Sequence, residues 1–301
     1  MKKQDFFTRP GIVCITAVFC CALWGSAVPF IKTGYLLFSI DATDTASILV
    51  FAGLRFALAG ILVLIAGSFL QKRILLPTKT SLKAIPILAL FQTAGQYFLY
   101  YIGLAHTSGV NGSIISGTSA FFALLVASLL FRFEKLSLTK VIGCILGFFG
   151  ILIMNLQGVQ PFSLLGDGFM ILSQLSSAIS AAFIKLFTQK DDAVMLSGYQ
   201  FFLGGVVLMA VGLLMGGHLE LNDVSGLLVL FHLAFVSACA YTLWGILLSK
   251  NPVSKVGIFG CLIPAMGVLL SALMLQETAQ AFFMDRLIEF DLDRVWCMDR
   301  E

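Results

Sequence analysis

Residues 46–70 read ASILVFAGLRFALAGILVLIAGSFL. A helix needs roughly 20 apolar residues to cross the hydrocarbon core of a bilayer. This run meets that length and carries a single charge, Arg55. Outward from it, further apolar runs cover residues 11–31, 84–105, 110–131, 141–156, 165–187, 194–216, 224–248 and 256–275. They are too long and too uniform for barrel strands, which alternate in polarity, so the sequence predicts membrane-spanning helices. Composition agrees: 59% of the chain is hydrophobic and 12% charged, against about 45–50% and about 25% in an average soluble domain. The surplus must face lipid. The fold class is an all-α integral membrane protein.

The connecting segments give orientation. Lys72, Arg73, Lys79 and Lys83 follow the second run, Arg132, Lys135 and Lys140 the fourth, Lys190 the sixth, and Lys250 and Lys255 the eighth. Lys2, Lys3 and Arg9 precede the first. The alternate segments 36–45, 107–109, 157–164 and 217–223 contain neither Lys nor Arg. By the positive-inside rule a multi-pass protein of the cell (inner) membrane is expected, with its N-terminus cytoplasmic. Residues 1–10 are charged like the start of a signal peptide. Many spans follow and no small-x-small cleavage site is evident, so they are read as a cytoplasmic tail before an uncleaved span.

The chain echoes itself. Phe30-Ile31-Lys32 recurs as Phe183-Ile184-Lys185, and Leu58-Ala59-Gly60 as Leu203-Gly204-Gly205. Residues 101–134 align at constant offset with residues 244–277. Five spans per unit is an odd number, so the second unit is expected upside down relative to the first. Inverted repeats around a shared midplane site characterise many secondary transporters.

Leu23-Trp24-Gly25-Ser26 followed by Phe30-Ile31-Lys32 resembles the opening of the EamA family, in the drug/metabolite transporter superfamily. Arg55-Phe56, Glu134-Lys135-Leu136-Ser137 ahead of Gly143, and Leu275-Gln276-Glu277 extend the resemblance, which covers roughly residues 11–281. It implies two inverted five-helix repeats, a ten-span bundle around a central cavity. It also implies export or exchange of small polar metabolites such as amino acids, sugars or drug-like compounds. The chain then divides into a tail at 1–10, a first repeat at 11–157, a second repeat with four recognisable spans at 165–277, and an atypical charged tail at 278–301. Asp285, Arg286, Glu289, Asp291, Asp293, Arg294, Asp299, Arg300 and Glu301 crowd that tail. At about 2.5–3.5 kcal/mol for a charge at a helix centre, the tenth span is expected to be missing or replaced. A frameshift, a truncation and a true nine-span variant all account for this.

Ionisable groups within spans are costly and are functional candidates by default. Arg55, about ten residues into its span, reads either as a fork for a substrate carboxylate or phosphate or as a structural partner of Asp44 or of backbone carbonyls. Lys32 and Lys185 occupy matching places in the two units and read as snorkelling or as gating groups. Pro29 and Pro264 offer local breaks or hinges. Glu134 and Glu277 read as partners of lysines or caps of the next helix. His232 reads as a neutral, hydrogen-bonded packing residue. Gln92, Gln96 and Tyr100 recur on one helical face, and Gln174, Ser177, Ala181 and Lys185 form a comparable stripe. Trp24, Tyr97, Tyr101, Tyr241 and Trp244 offer aromatic walls. The candidate substrate-binding set is therefore Trp24, Arg55, Gln92, Gln96, Tyr100, Tyr101, Gln174 and Trp244, with interhelical hydrogen bonding and interfacial belts as the rival reading. Gly112, Ser113, Ser116, Gly117 and Ser119 are read as packing residues without chemistry.

Other classes find less support. His106, His218 and His232 are scattered, and no HExxH, GxSxG or nucleotide-binding loop occurs. No catalytic residue, metal or cofactor is expected. Cys14, Cys20, Cys21, Cys144, Cys239 and Cys261 lie in apolar runs as small packing residues, and Cys297 lies in the tail. The net charge of +3 points to no nucleic-acid partner. The expected partners are a small-molecule substrate and the lipid bilayer, with homo-oligomers left open. The sequence thus predicts a secondary transporter of a small polar metabolite, with a non-transporting assembly subunit or an inactive truncated transporter as the alternatives.

Overall fold

The computed structural model describes residues 6–107, 109–155, 161–220 and 223–275. Lys2, Lys3, Glu277, Cys297 and the charged tail lie outside the described residues. Five helices are long and apolar enough to cross a membrane: α1 (Pro10–Leu37), α2 (Thr45–Leu70), α8 (Gly166–Phe187), α9 (Ala193–Leu214) and α10 (Ser225–Lys250). The described residues contain helices and loops and no strand.

The other predicted runs are helical with interruptions. The third is built from α3 (Ser81–Leu88) and α4 (Gly95–Ala105), joined by a π-helical stretch at Ala89–Ala94 just after Pro86. The fourth breaks at Thr118 between α5 (Gly109–Gly117) and α6 (Ser119–Leu125), and ends in a π turn at Val126–Leu130. There the Thr118 hydroxyl donates to the Ile115 carbonyl at 2.6 Å, a side-chain bond that competes with the helical ladder. The fifth is α7 (Leu138–Asn155). The ninth begins as the short α11 (Val253–Gly257), passes through a 3-10 stretch at Ile258–Cys261 and continues as α12 (Leu262–Leu275). Pro264 sits in the first turn of α12, where its missing N–H breaks no bond. Helix α1 continues through Pro29 without interruption, and the Thr33 hydroxyl donates to the Pro29 carbonyl at 3.1 Å.

Helices α2 and α9 form the backbone-to-backbone seam of the bundle. Gly53 lies on Gly205, and Gly60 lies on Gly198, with the two helices antiparallel. A Cβ on Gly60 would fall 2.4 Å from the Phe202 nitrogen, and one on Gly53 2.4 Å from the Met209 nitrogen. In lipid, where apolar burial brings no hydrophobic gain, close approach through small residues is what holds helices together.

The loops sort to two ends. At one end the segment after α2 is tied to the segment before α9: Thr78 donates to Asp191 at 2.6 Å, and Arg73 pairs with Asp192 at 3.5 Å. Glu134 and Ser254 join at the same end, as does Asn251, whose side chain donates to the Phe7 carbonyl at 2.9 Å. The predicted Lys- and Arg-rich loops therefore share one face. At the other end Ser47 accepts from the His218 nitrogen at 3.0 Å, and buried Asp167 accepts from Thr107, Asn111 and the Ser163 nitrogen.

Candidate functional site

Helices of both halves of the chain surround a cavity of about 310 Å³. That lies at the lower edge of the range of small-molecule sites, about 300–1,000 Å³. Its wall includes Trp24, Arg55, Gln92, Gln96, Tyr100, Tyr101, Gln174 and Trp244, together with Tyr97, Tyr241 and Pro264. Residues far apart in sequence thus converge on one space.

Each reaches it for a local reason. Gln92 belongs to the π stretch, and Gln96 and Tyr100 follow on α4 at helical spacing. One-turn π segments re-aim side chains and recur at functional sites. Gln174, Ser177 and Ala181 line the cavity from α8, with Ala178 and Ser180 beside them. Lys185, the fourth member of the expected stripe, departs from it. Its ammonium donates instead to the carbonyls of Asn251 at 2.5 Å and Leu248 at 3.4 Å, at the C-terminal end of α10. A cation is favoured there because the unpaired carbonyls carry the negative end of the helix dipole. Lys32 is exposed on α1 and does not line the cavity.

Among the described residues, Arg55 is the only Arg, Lys, His, Asp or Glu side chain that lines the cavity. It is 4% exposed. Its guanidinium carbon lies 4.4 Å from the Phe56 ring centre and 5.9 Å from that of Tyr97, a cation–π arrangement. The expected alternative pairing with Asp44 is not made: Asp44 caps α2, accepting from the Ser47 nitrogen at 3.0 Å. The Arg55 Nε has no hydrogen-bond partner, and neither does the Trp24 Nε1. Buried donors are almost always paired, and these two belong to residues that line the same cavity.

The aromatic wall is continuous. Trp24 meets Tyr241 edge-on at 4.8 Å and Trp244 at 5.1 Å between ring centres. Tyr97 and Tyr241 join through their hydroxyls, linking α4 to α10 across the cavity. Tyr100 and Tyr101 pack edge-on at 5.4 Å.

Sequence reading missed several wall residues. Ser116 and Ser119, assigned to packing, line the cavity on either side of the Thr118 break. Ser237 does so from α10, at helical spacing from Tyr241 and Trp244, a signal that was legible. Gly257 and Gly260 also border it, and a Cβ on Gly260 would stand 3.4 Å from the Ser119 hydroxyl. His232 is packed against Phe30, with ring centres 4.1 Å apart, and its Nε2 has no partner, unlike the hydrogen-bonded histidine expected.

Beneath the cavity, at the end bearing the cationic loops, the side chain of Glu134 is 6% exposed. It accepts from Lys140 at 2.9 Å, from the Ser254 nitrogen at 3.1 Å and from the Ser254 hydroxyl. It pairs with a lysine as expected, but it caps α11 of the other half of the chain. Burial pushes its carboxyl up. The bonds from Lys140 and Ser254 more than offset this and hold it below its ordinary range. Among the described residues no cluster of three His, Cys, Asp or Glu is arranged to hold a metal, and the six described cysteines are free thiols.

Residues 11–156 and 164–284 each match the EamA-like transporter family. The chain is 25% identical over 238 residues to the uncharacterized transporter YetK of Bacillus subtilis, covering 75% of this chain and 71% of that one. It is 26% identical over 266 residues to an uncharacterized transporter of Archaeoglobus fulgidus, covering 86% and 88%. A solved crystal structure superposes with a TM-score of 0.73 over 92% of each chain at 17% identity, a likeness of fold.

Proposed function

This chain belongs to the EamA-like transporter family, and from that premise we propose that it is a secondary carrier that exports or exchanges a small polar metabolite across the inner membrane by alternating access. The observation that carries the reading is the cavity of about 310 Å³, bordered by both halves of the chain and containing one buried, unpaired guanidinium. A buried charge inside a membrane protein is expensive, and a substrate that pairs with it repays the cost. In this reading Arg55 grips the solute, Gln92, Gln96 and Gln174 supply polar contacts, and Trp24, Tyr100, Tyr101 and Trp244 form the walls.

Two observations support an inverted pair of units rocking about this site. The family matches twice in succession. The contacts Gly53 on Gly205 and Gly60 on Gly198 are reciprocal, because Gly60 and Gly205 occupy equivalent places in the repeat. Such reciprocity is what a two-fold relation produces. The clustering of the cationic loops at one end supports a cytoplasmic N-terminus. Solute flux into proteoliposomes, with a mixed metabolite panel and with and without a pH gradient, tests the proposal. Saturable uptake that Arg55→Gln abolishes is expected. Flux no greater than in empty liposomes for the whole panel sinks it.

A further inference from the structure

The carrier reading leaves the solute's charge open, and the cavity narrows it. We propose that the site takes a small organic monocarboxylate with a flat apolar body and no ammonium group. This rests on the cavity being the solute site. Arg55 contributes one positive charge, and among the described residues no carboxylate lines the space with it. Lys185 and Glu134, at the end of the bundle below the cavity, are occupied with the α10 carbonyls and with Ser254 and Lys140. A monoanion therefore brings the loaded cavity to neutrality. A cation doubles the charge, a zwitterion leaves the guanidinium uncompensated overall, and a dianion leaves a surplus negative charge. Each of those leaves a net charge within the membrane-spanning bundle, which is penalised.

The aromatic wall alone would suit an ammonium ligand, since ring faces attract cations. Here the protein's own guanidinium already occupies that seat, over Phe56 and near Tyr97. Two donors on residues of its wall also stand without a partner. The Arg55 Nε and the Trp24 Nε1 are both orphan donors, and a carboxylate is acceptor-only, with two oxygens that suit a guanidinium fork. Trp24 and Trp244, edge-on to each other at 5.1 Å, present one continuous aromatic wall against which a flat apolar body packs.

A matched series on one phenyl body separates the charges: 3-phenylpropionate, phenylalanine, phenethylamine and phenylsuccinate. Binding to the purified full chain is followed by the fluorescence of its tryptophans, since Trp24 and Trp244 both line the cavity. Expected is binding of 3-phenylpropionate about tenfold or more tighter than any of the other three. Arg55→Gln should remove that preference, and Arg55→Lys should keep its sign at lower affinity, which guards against a misfolded variant. Equal or tighter binding of phenylalanine, phenethylamine or phenylsuccinate overturns the proposal. So does binding of none of the four, or 3-phenylpropionate affinity that Arg55→Gln leaves unchanged. Flux of other solutes in a chain that refuses 3-phenylpropionate overturns this inference while leaving the carrier reading intact. Binding of 3-phenylpropionate without flux of any solute supports the inference and sinks the carrier reading.

Discussion

Gly205 of α9 stands so close to Ala57 of α2 that a Cβ built on the glycine would fall 2.3 Å from the alanine's backbone nitrogen. The obstacle is main chain, which cannot swing aside as a side chain can. Gly205→Val must push the two helices apart along the seam that joins the two halves of the chain. Overpacking of this kind costs about 1–3 kcal/mol, and thermal unfolding in detergent should show it as a lowered midpoint. Gly11, with nothing within 4 Å of a Cβ, is the control. Gly11→Ala should change stability by no more than about 0.5 kcal/mol. Equal effects of the two changes would contradict the close packing.

The bonds of Glu134 give the fold a pH dependence of definite sign. Its carboxyl is held below the ordinary range in the folded chain, so the unfolded chain binds the proton more readily. The stabilisation is then fully present above the ordinary carboxylate range and is lost as pH falls through the lowered value. Glu134→Gln should flatten that dependence, and the difference between the two stability curves should grow as pH rises from acid towards neutral. A constant difference across pH would mean that the carboxylate's charge contributes nothing. At neutral pH the loss is expected at about 1–3 kcal/mol, the cost of leaving buried partners unpaired.

The spans and their loop charges were readable because lipid imposes a severe condition: backbone groups must be satisfied within the helix, and side chains must be apolar for some twenty residues. Arg55 stood out for the same reason, as a lone charge in a long apolar run. The interruptions at Ala89–Ala94, Thr118 and Ile258–Cys261 did not, because an apolar run looks alike whether its helix is continuous or broken. Ser116 and Ser119 were hidden by chemistry, since a serine in a helix can bond its own backbone, and composition cannot separate packing from wall. The bond from Ser254 to Glu134 spans 120 residues, and nothing local in either segment announces it. That α1 continues through Pro29 was not legible either, because a proline interrupts or spares a membrane helix according to what packs around it.

The hydroxyl bond between Tyr97 and Tyr241 links α4 with α10 across the cavity. Tyr97→Phe leaves the Tyr241 hydroxyl without that partner, and the converse holds for Tyr241→Phe. Each single change should cost about 1–3 kcal/mol, and the double change less than the sum of the two, because it leaves no orphan hydroxyl. A double-mutant cycle on unfolding in detergent measures this. Additive losses would mean that the two hydroxyls do not meet in the membrane-embedded chain.

Lys185 decides between a structural and a gating role. Its ammonium is half-buried and directed at the Asn251 and Leu248 carbonyls, tying α8 to the end of α10 just below the cavity floor. A structural cation in this position is worth up to about 2 kcal/mol. Lys185→Met should therefore lower the unfolding midpoint, while flux per folded molecule in proteoliposomes stays within about twofold of the parent, since methionine keeps the apolar stem and loses only the bond. A gate behaves otherwise. If the variant unfolds at the parent's midpoint yet its flux collapses, the charge acts in the transport cycle, and the carbonyl contacts describe one of the states it passes through.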